Sequence, residues 1–507
     1  MFRLCFCLVV LLQTVPAGAE PPTAGAAFDQ MLAAQVTAAA LAFMAPRTLE
    51  PVPVSELTLW GLRGLTALDP QLTVELRDNV LRLAMPDRVL IAAPPPQAED
   101  PAAWAQAFAA LAAVAWTASP TVRHAGTIGI LQSFFDEMFN HLDPYSRYVP
   151  PGEAAEDREL RSGSAGLGLT LGLRGGAVTV VSVIADGPGA LAGLRPGDRI
   201  LTVDGQPTHG RSVEAVGAWI AGPEETTVTV GWRGRDGRAR SAEIVRMMVP
   251  PETVLAQMLG DMLLIRITGF NRETGERVAH ELAQAVEGTH PPDGVVLDLR
   301  GNRGGLLREA VMTASALLSP GVVAVTAGRD PRANRVWRTD GDEIAGNLPL
   351  VVLVDGRSAS AAEVLAAALG DRGRAVVIGS ATLGKGLVQT IDPLPDGGEL
   401  FVTWSRILAP GGWPIQGLGV LPQVCTSLGQ EALNRQLAAL ADGVQPMQDA
   451  IQRHRAARAP LTPVEVLALR SPCPAAEGRE ADLATARSVI DNPAIYAAAL
   501  LPVSNGQ

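Results

Sequence analysis

Leu350-Val351-Val352-Leu353-Val354-Asp355-Gly356-Arg357-Ser358-Ala359-Ser360-Ala361-Ala362-Glu363-Val364 reads as a buried strand, a tight turn and the start of a helix. Five apolar residues in a row, bounded by a turn, suit a strand covered on both faces. Small residues crowd the turn and place Ser360 in the first turn of the helix. There, unpaired backbone N–H groups and the helix dipole favour an anion, and the Ala361 amide could hold an oxyanion. A serine at a helix start is most often a cap, and Ser358 could be that cap. The segment alone therefore does not choose between structure and chemistry.

Two further apolar strands, Val295 to Leu299 and Ala375 to Ile378, flank it in sequence, and helical stretches follow the first two of the three. This alternation indicates an α/β core. The first strand runs into Leu297-Asp298-Leu299-Arg300-Gly301-Asn302-Arg303-Gly304-Gly305-Leu306-Leu307, a glycine-rich turn before a helix. Consecutive glycines such as Gly304 and Gly305 can aim N–H groups at one point, which suits a developing oxyanion as well as phosphate. No Gly-Lys-Ser or Gly-Lys-Thr is present to favour phosphate.

The third strand and its turn lead to Gly384-Lys385-Gly386-Leu387-Val388-Gln389. Lys385 is the only lysine among 41 basic residues. A composition that favours arginine so strongly spares a lysine where arginine cannot do the work. Arginine stays protonated, whereas a lysine desolvated in a closed site can lose its proton near neutrality and act as a base. The flanking glycines permit close backbone approach and are a poor setting for a surface charge. Ser360 as nucleophile and Lys385 as base is the reading these segments support together.

Composition and the chain ends exclude other classes. The 52 acidic and 41 basic residues leave a net charge of −11, and no stretch gathers enough positive charge to follow a phosphate backbone. Nucleic acid is set aside. Met1-Phe2-Arg3, an apolar run from Leu4 to Leu12 and Ala17-Gly18-Ala19 before Glu20 have the order of a cleavable secretory signal. The run is short of the ~20 residues that span a bilayer. The expectation is a secreted, periplasmic bacterial protein beginning near Glu20. Cys425 and Cys473 would remain in that compartment, where they could pair or stand as two separate buried thiols. The six histidines lie in no recognisable catalytic context and no Gly-x-Ser-x-Gly elbow is present, which argues against a Ser/His/Asp hydrolase. Nothing resembles a zinc site, so no metal and no cofactor are expected.

Taken together, these segments resemble the carboxy-terminal processing peptidases, the S41 family of Ser/Lys proteases that carry a PDZ domain. The family's Ser-Ala-Ser-Ala-Ser-Glu motif puts its nucleophile on Ser360. Its Gly-Lys-Gly base, 25 positions later, falls on Lys385, and a glutamine that orients the lysine falls on Gln389. His141-Leu142-Asp143-Pro144-Tyr145-Ser146-Arg147-Tyr148-Val149 and Pro414-Ile415-Gln416-Gly417-Leu418-Gly419-Val420-Leu421-Pro422 match as well. The resemblance runs from about Thr127 to Val424. Ala362 replaces a frequent third serine, and Arg303 replaces the proline of an Asn-Pro-Gly-Gly turn.

The resemblance implies a multidomain α/β (α+β) protein with a crotonase/ClpP-like α/β protease core and an inserted β-rich PDZ domain, flanked by helical N- and C-terminal regions. The boundaries expected are 1–19 for the signal peptide, 20–125 for an N-terminal helical region, 126–156 for the start of the core, 157–249 for the PDZ domain, 250–430 for the catalytic core and 431–507 for a C-terminal helical region. Gly166-Leu167-Gly168-Leu169 resembles the PDZ loop whose amides hold a terminal carboxylate, while the peptide adds a strand to an open sheet edge. The helix Ser212 to Ala221 would supply the other wall, with Val213, Val216 and Ile220 on one side, or on the helix's core face. Apolar walls imply substrates with apolar C-termini. The resemblance also implies an adaptor lipoprotein as a partner, and the terminal helices could dock it or build a homo-oligomer. The function expected is an exported endopeptidase that captures protein tails and cuts near them. The alternative is a catalytically dead PDZ scaffold, against which intact Ser360, Lys385 and Gln389 argue.

Overall fold

The structure is a computed structural model that describes residues 27–97, 99–184, 187–341 and 343–501. The expected signal segment, 1–19, lies outside the described residues. The chain forms two compact units, one of residues up to Pro46 with Pro51–Pro150 and Asp392–Phe401, the other of Arg47–Glu50, Pro151–Ile391 and Val402–Gln507.

In the first unit the helices Gln30–Met44, Pro101–Ala118 and Pro120–Phe139 each start on a side-chain cap, from Asp29, Asp100 and Ser119. Their buried faces meet around Phe108, Phe134 and Phe135. A helical region was expected here, yet three antiparallel strands interrupt it, Thr73–Arg77, Val80–Met85 and Arg88–Ala93. Asp78 and Asn79, both at positive φ, make the two-residue turn between the first pair. Such turns match the twist of a hairpin. Leu81 and Leu83 are buried while their neighbours are more exposed, a period of two.

The second unit contains the small β-rich module and the α/β core. Five antiparallel strands of the module run in the spatial order Ala239–Val245, Thr227–Arg233, Arg199–Val203, Ala177–Val183 and Leu169–Arg174. Leu169–Arg174 therefore forms an edge with open main-chain groups. The helix Val213–Ile220 is capped by Ser212, whose Oγ accepts from the Ala215 N–H.

The core sheet has strands β1 (Val254–Leu259), β2 (Met262–Ile267), β3 (Gly294–Asp298), β4 (Leu350–Val354), β5 (Val376–Gly379) and β6 (Val424–Cys425), in that spatial order. β2 to β6 are parallel and β1 is an antiparallel edge. The unbroken apolar run of β4 follows from burial on both sides. Leu350, Val352 and Val354 pack with helices α1 (Thr274–Val286), α2 (Leu307–Ser315) and α3 (Ala361–Asp371). Val351 and Leu353 face the opposite way, against Leu433, Leu440, Ala486 and Val489 of the C-terminal helices. Those helices thus use their apolar faces to cover the second side of the sheet. In parallel α/β sheets, sites form at the carboxyl ends of the strands, and the turns after β3, β4 and β5 carry the residues singled out above.

Candidate active site

Ser360 is the N-cap of α3, with φ 56° and ψ −117°. A non-glycine residue there lies outside both helical wells and carries strain of about 1–3 kcal/mol. A strained serine on a strand-to-helix turn is the geometry that pushes a hydroxyl out for attack. Neighbouring contacts hold the turn in place. Ser358 is fully buried and does not cap the helix: its Oγ donates to Leu299 O at 2.8 Å and accepts from the Asp355 N–H. The Ala359 N–H donates to Asn302 O at 2.9 Å, joining this turn to the glycine-rich one.

Glu363 brings the Ser360 turn and the Lys385 turn together. Its carboxylate is fully buried and accepts hydrogen bonds from the Ser360 N–H and the Lys385 N–H on one oxygen, each at 2.8 Å. The two main-chain nitrogens therefore lie within twice that distance of each other. The other oxygen accepts from the Gly384 N–H and the Thr382 hydroxyl. The hydroxyl in turn accepts from the Val420 N–H, which fixes it as a donor to the carboxylate. Burial pushes the Glu363 carboxyl above its ordinary range, and the four donors oppose this. Every partner is a donor, so the arrangement serves the carboxylate form. The residue lies three positions after Ser360, the spacing of a capping box. That spacing is the signal by which it could have been found.

Around Lys385, the Leu383 N–H donates to Ser358 O and the Gly417 N–H to Gly384 O. The Gln416 side chain accepts from the Gly386 N–H at 2.9 Å. This accounts for the Pro-Ile-Gln-Gly segment beside the lysine turn. Lys385 and Ser360 are both half-buried. The Gln389 amide nitrogen donates to Thr403 Oγ1 at 3.1 Å and to Leu387 O at 3.2 Å, so its carbonyl oxygen is the end left to accept from a lysine.

The glycine-rich turn packs directly on the serine. A Cβ on Gly304, at φ 93°, would stand 2.8 Å from Ser360 Cβ, and one on Gly305 would stand 2.0 Å from Phe270 O. Close approach is what these glycines supply. The Gly304 amide, however, donates to Asn302 Oδ1 at 2.8 Å. Gly304 is therefore corrected from an oxyanion donor to a packing residue, its N–H already committed. Among the described residues the Gly305 and Ala361 N–H groups make no such internal bond.

At the β-rich module, a groove of about 650 Å³ runs beside the edge strand, lined by Gly166, Leu167, Gly168, Leu169, Val213 and Ile220 among others. The loop is fixed by Gly168 O, which accepts from the Ile184 N–H, and Leu167 O, which accepts from the Gly189 N–H. Val216 does not line the groove. It is fully buried with Val178, Val180 and Trp232 in the module's core, because the helix must spend one face on its own sheet. Cys425 and Cys473 form a disulfide with a Cα separation of 5.7 Å, and this resolves the two readings of the cysteines in favour of pairing.

The model of peptidase family S41 matches residues 261–426 and a PDZ domain model matches residues 179–234. A carboxy-terminal-processing protease of Bartonella bacilliformis is 34% identical over 303 residues, which cover 58% of this chain and 69% of the relative. A chloroplastic C-terminal processing peptidase of Tetradesmus obliquus is 34% identical over 56% of this chain and 64% of its own. Among solved structures, a photosystem II D1 C-terminal processing protease is 31% identical, covers 60% of this chain and 86% of that one, and has a TM-score of 0.35. With a family match that spans the turns Glu363 ties together, the chain belongs to peptidase family S41, as a carboxy-terminal processing serine protease with a PDZ domain.

Proposed function

We propose that this chain is an exported endopeptidase in which Ser360 and Lys385 form a catalytic dyad and the PDZ groove delivers the substrate's tail. The observation that carries the proposal is the single Glu363 oxygen accepting from the main-chain N–H groups of both residues. Ser360 Oγ attacks the scissile carbonyl while a neutral Lys385 Nζ takes its proton, and the Gly305 and Ala361 amides receive the oxyanion. Lys385 then gives the proton to the leaving amine. Water, deprotonated by the same lysine, hydrolyses the acyl-enzyme and restores Ser360. Gln389 holds the lysine through its carbonyl oxygen.

The groove's apolar wall of Leu167, Leu169, Val213 and Ile220 favours substrates with apolar C-terminal residues. The edge strand adds main-chain pairing and the Gly166–Leu169 loop takes the carboxylate. An unstructured peptide with an apolar tail should be cleaved at least about tenfold faster at sub-saturating concentration than the same peptide amidated at its C-terminus. Equal rates for the two would refute tail capture. If both Ser360→Ala and wild type bind the tail and neither cuts, the chain is the dead scaffold instead.

Export rests on the order of charge, apolar run and small residues at the N-terminus and on the Cys425–Cys473 disulfide, a bond kept in oxidising compartments. N-terminal sequencing of the protein recovered from a bacterial periplasm should begin near Glu20. A retained Met1 in the cytoplasm would contradict it. An adaptor lipoprotein, which the family resemblance implies, and a homo-oligomer built through the terminal helices stay with this proposal as partners.

A further inference from the structure

The C-terminal segment that follows the family-matched region packs Val466 and Leu469 on the core and makes a set of polar contacts besides. The helix Pro463–Arg470 has no fully buried residue, and Val464 and Leu467 on it are 75% and 70% exposed. Its last residue, Arg470, donates to three main-chain carbonyls. Nη2 reaches Thr382 O at 2.7 Å, and Nη1 reaches Leu418 O at 2.6 Å and Gly417 O at 3.2 Å. Thr382 and Gly417 are among the residues that grip the lysine turn, the first through Glu363 and the second through Gly384 O.

Three residues later Cys473 is bonded to Cys425 of β6. The chain then crosses to the serine turn. Ala476 O accepts from the Gly356 N–H at 2.7 Å and from Ser380 Oγ at 2.9 Å, and the Ala476 N–H donates back to Ser380 Oγ at 3.0 Å. The Gly478 N–H donates to Asp355 Oδ2, while Asp355 Oδ1 accepts from the Ser358 N–H and the Gly301 N–H. Within nine residues the segment thus touches the lysine turn and the serine turn, and through Asp355 it reaches the glycine-rich turn. A planar guanidinium is suited to bridging several carbonyls that belong to different turns.

We propose that Arg470–Gly478 is a positioning strap, with Arg470 its principal residue, that sets the Lys385 turn against the Ser360 turn in this chain. The proposal rests on the dyad reading. Small displacements of such turns are costly, because an error of about 1 Å in a catalytic group can lower a rate about 10²-fold. The strap touches no groove residue, so its effect should fall on turnover and not on substrate affinity.

The test is steady-state cleavage of the unstructured peptide by the full chain, with wild type, Arg470→Met, Arg470→Lys, Ser380→Ala and Ser360→Ala compared. Arg470→Met should lower kcat at least about tenfold with KM within about twofold, and Arg470→Lys, which keeps the charge and some donors, should fall between it and wild type. Circular dichroism and Tm establish that the variants are folded. If Arg470→Met does not fold, Ser380→Ala decides, since it removes the side chain that binds both polar atoms of Ala476 and leaves Arg470 untouched; a threefold or larger fall in kcat supports the strap. A folded Arg470→Met with kcat within twofold of wild type, or a loss carried by KM alone, overturns the strap while Ser360→Ala remains inactive. Activity in Ser360→Ala would instead bring down the dyad reading beneath it.

Discussion

Lys385→Arg is expected to lower kcat/KM by about 10³-fold or more while leaving the protein folded. Arginine keeps the positive charge and most of the length of the side chain, but it cannot give up a proton in the working pH range. Any residue but proline at this position would still donate its main-chain N–H to Glu363. Arg would therefore preserve the turn and remove the base. The check is peptide cleavage by both proteins together with their thermal unfolding. A variant that turned over near the wild-type rate would show that Lys385 is not the base, and a variant that failed only through unfolding would assign the residue to structure.

Glu363→Ala should damage both stability and activity. Four donors, the N–H groups of Ser360, Gly384 and Lys385 and the Thr382 hydroxyl, would lose their acceptor, a fully buried carboxylate. Leaving a buried donor without a partner costs about 1–3 kcal/mol each, so the loss should reach about 2–6 kcal/mol even if two of the four find new partners. Glu363→Gln keeps the volume but turns an NH2 toward N–H groups, and should lower kcat about 10²-fold with a smaller fall in Tm. The Ser360 backbone is the strained element that this carboxylate pins, so relief of φ 56° toward an ordinary value is the expected structural change. If Glu363→Gln kept full kcat, the carboxylate would not be what registers serine against lysine.

Much of the core was legible because it rests on strong local signals. The run Leu350–Val354 is apolar without a break, and the structure shows why: alternate residues meet different helical layers. Ser360 and Lys385 stand out through chemistry and spacing, a serine at a helix start and a lone lysine between glycines. What was not legible depends on partners far apart in the chain. Nothing in the sequence tells that Gly304 gives its N–H to Asn302 while Gly305 keeps its own. The period of the Val213–Ile220 helix identifies an apolar stripe but not which part of it faces the sheet, so Val216 was placed on the groove wall when it belongs to the core. The Thr73–Ala93 meander sits inside an Ala- and Leu-rich stretch whose composition favours helix. Its signal was the short Asp78-Asn79 turn. Arg470 lies beyond the S41 match, and only the fold carries it to Thr382 and Gly417.

The proposed dyad requires that Ser360 be the residue that becomes acylated. The most direct measurement is mass spectrometry of the wild-type protein quenched in acid during turnover of an activated ester or peptide substrate, with the modified residue located by fragmentation. The acyl group is expected on Ser360, with no acylation of Ser360→Ala. An acyl group on Ser358 or any other residue, or undiminished hydrolysis by Ser360→Ala, would contradict it.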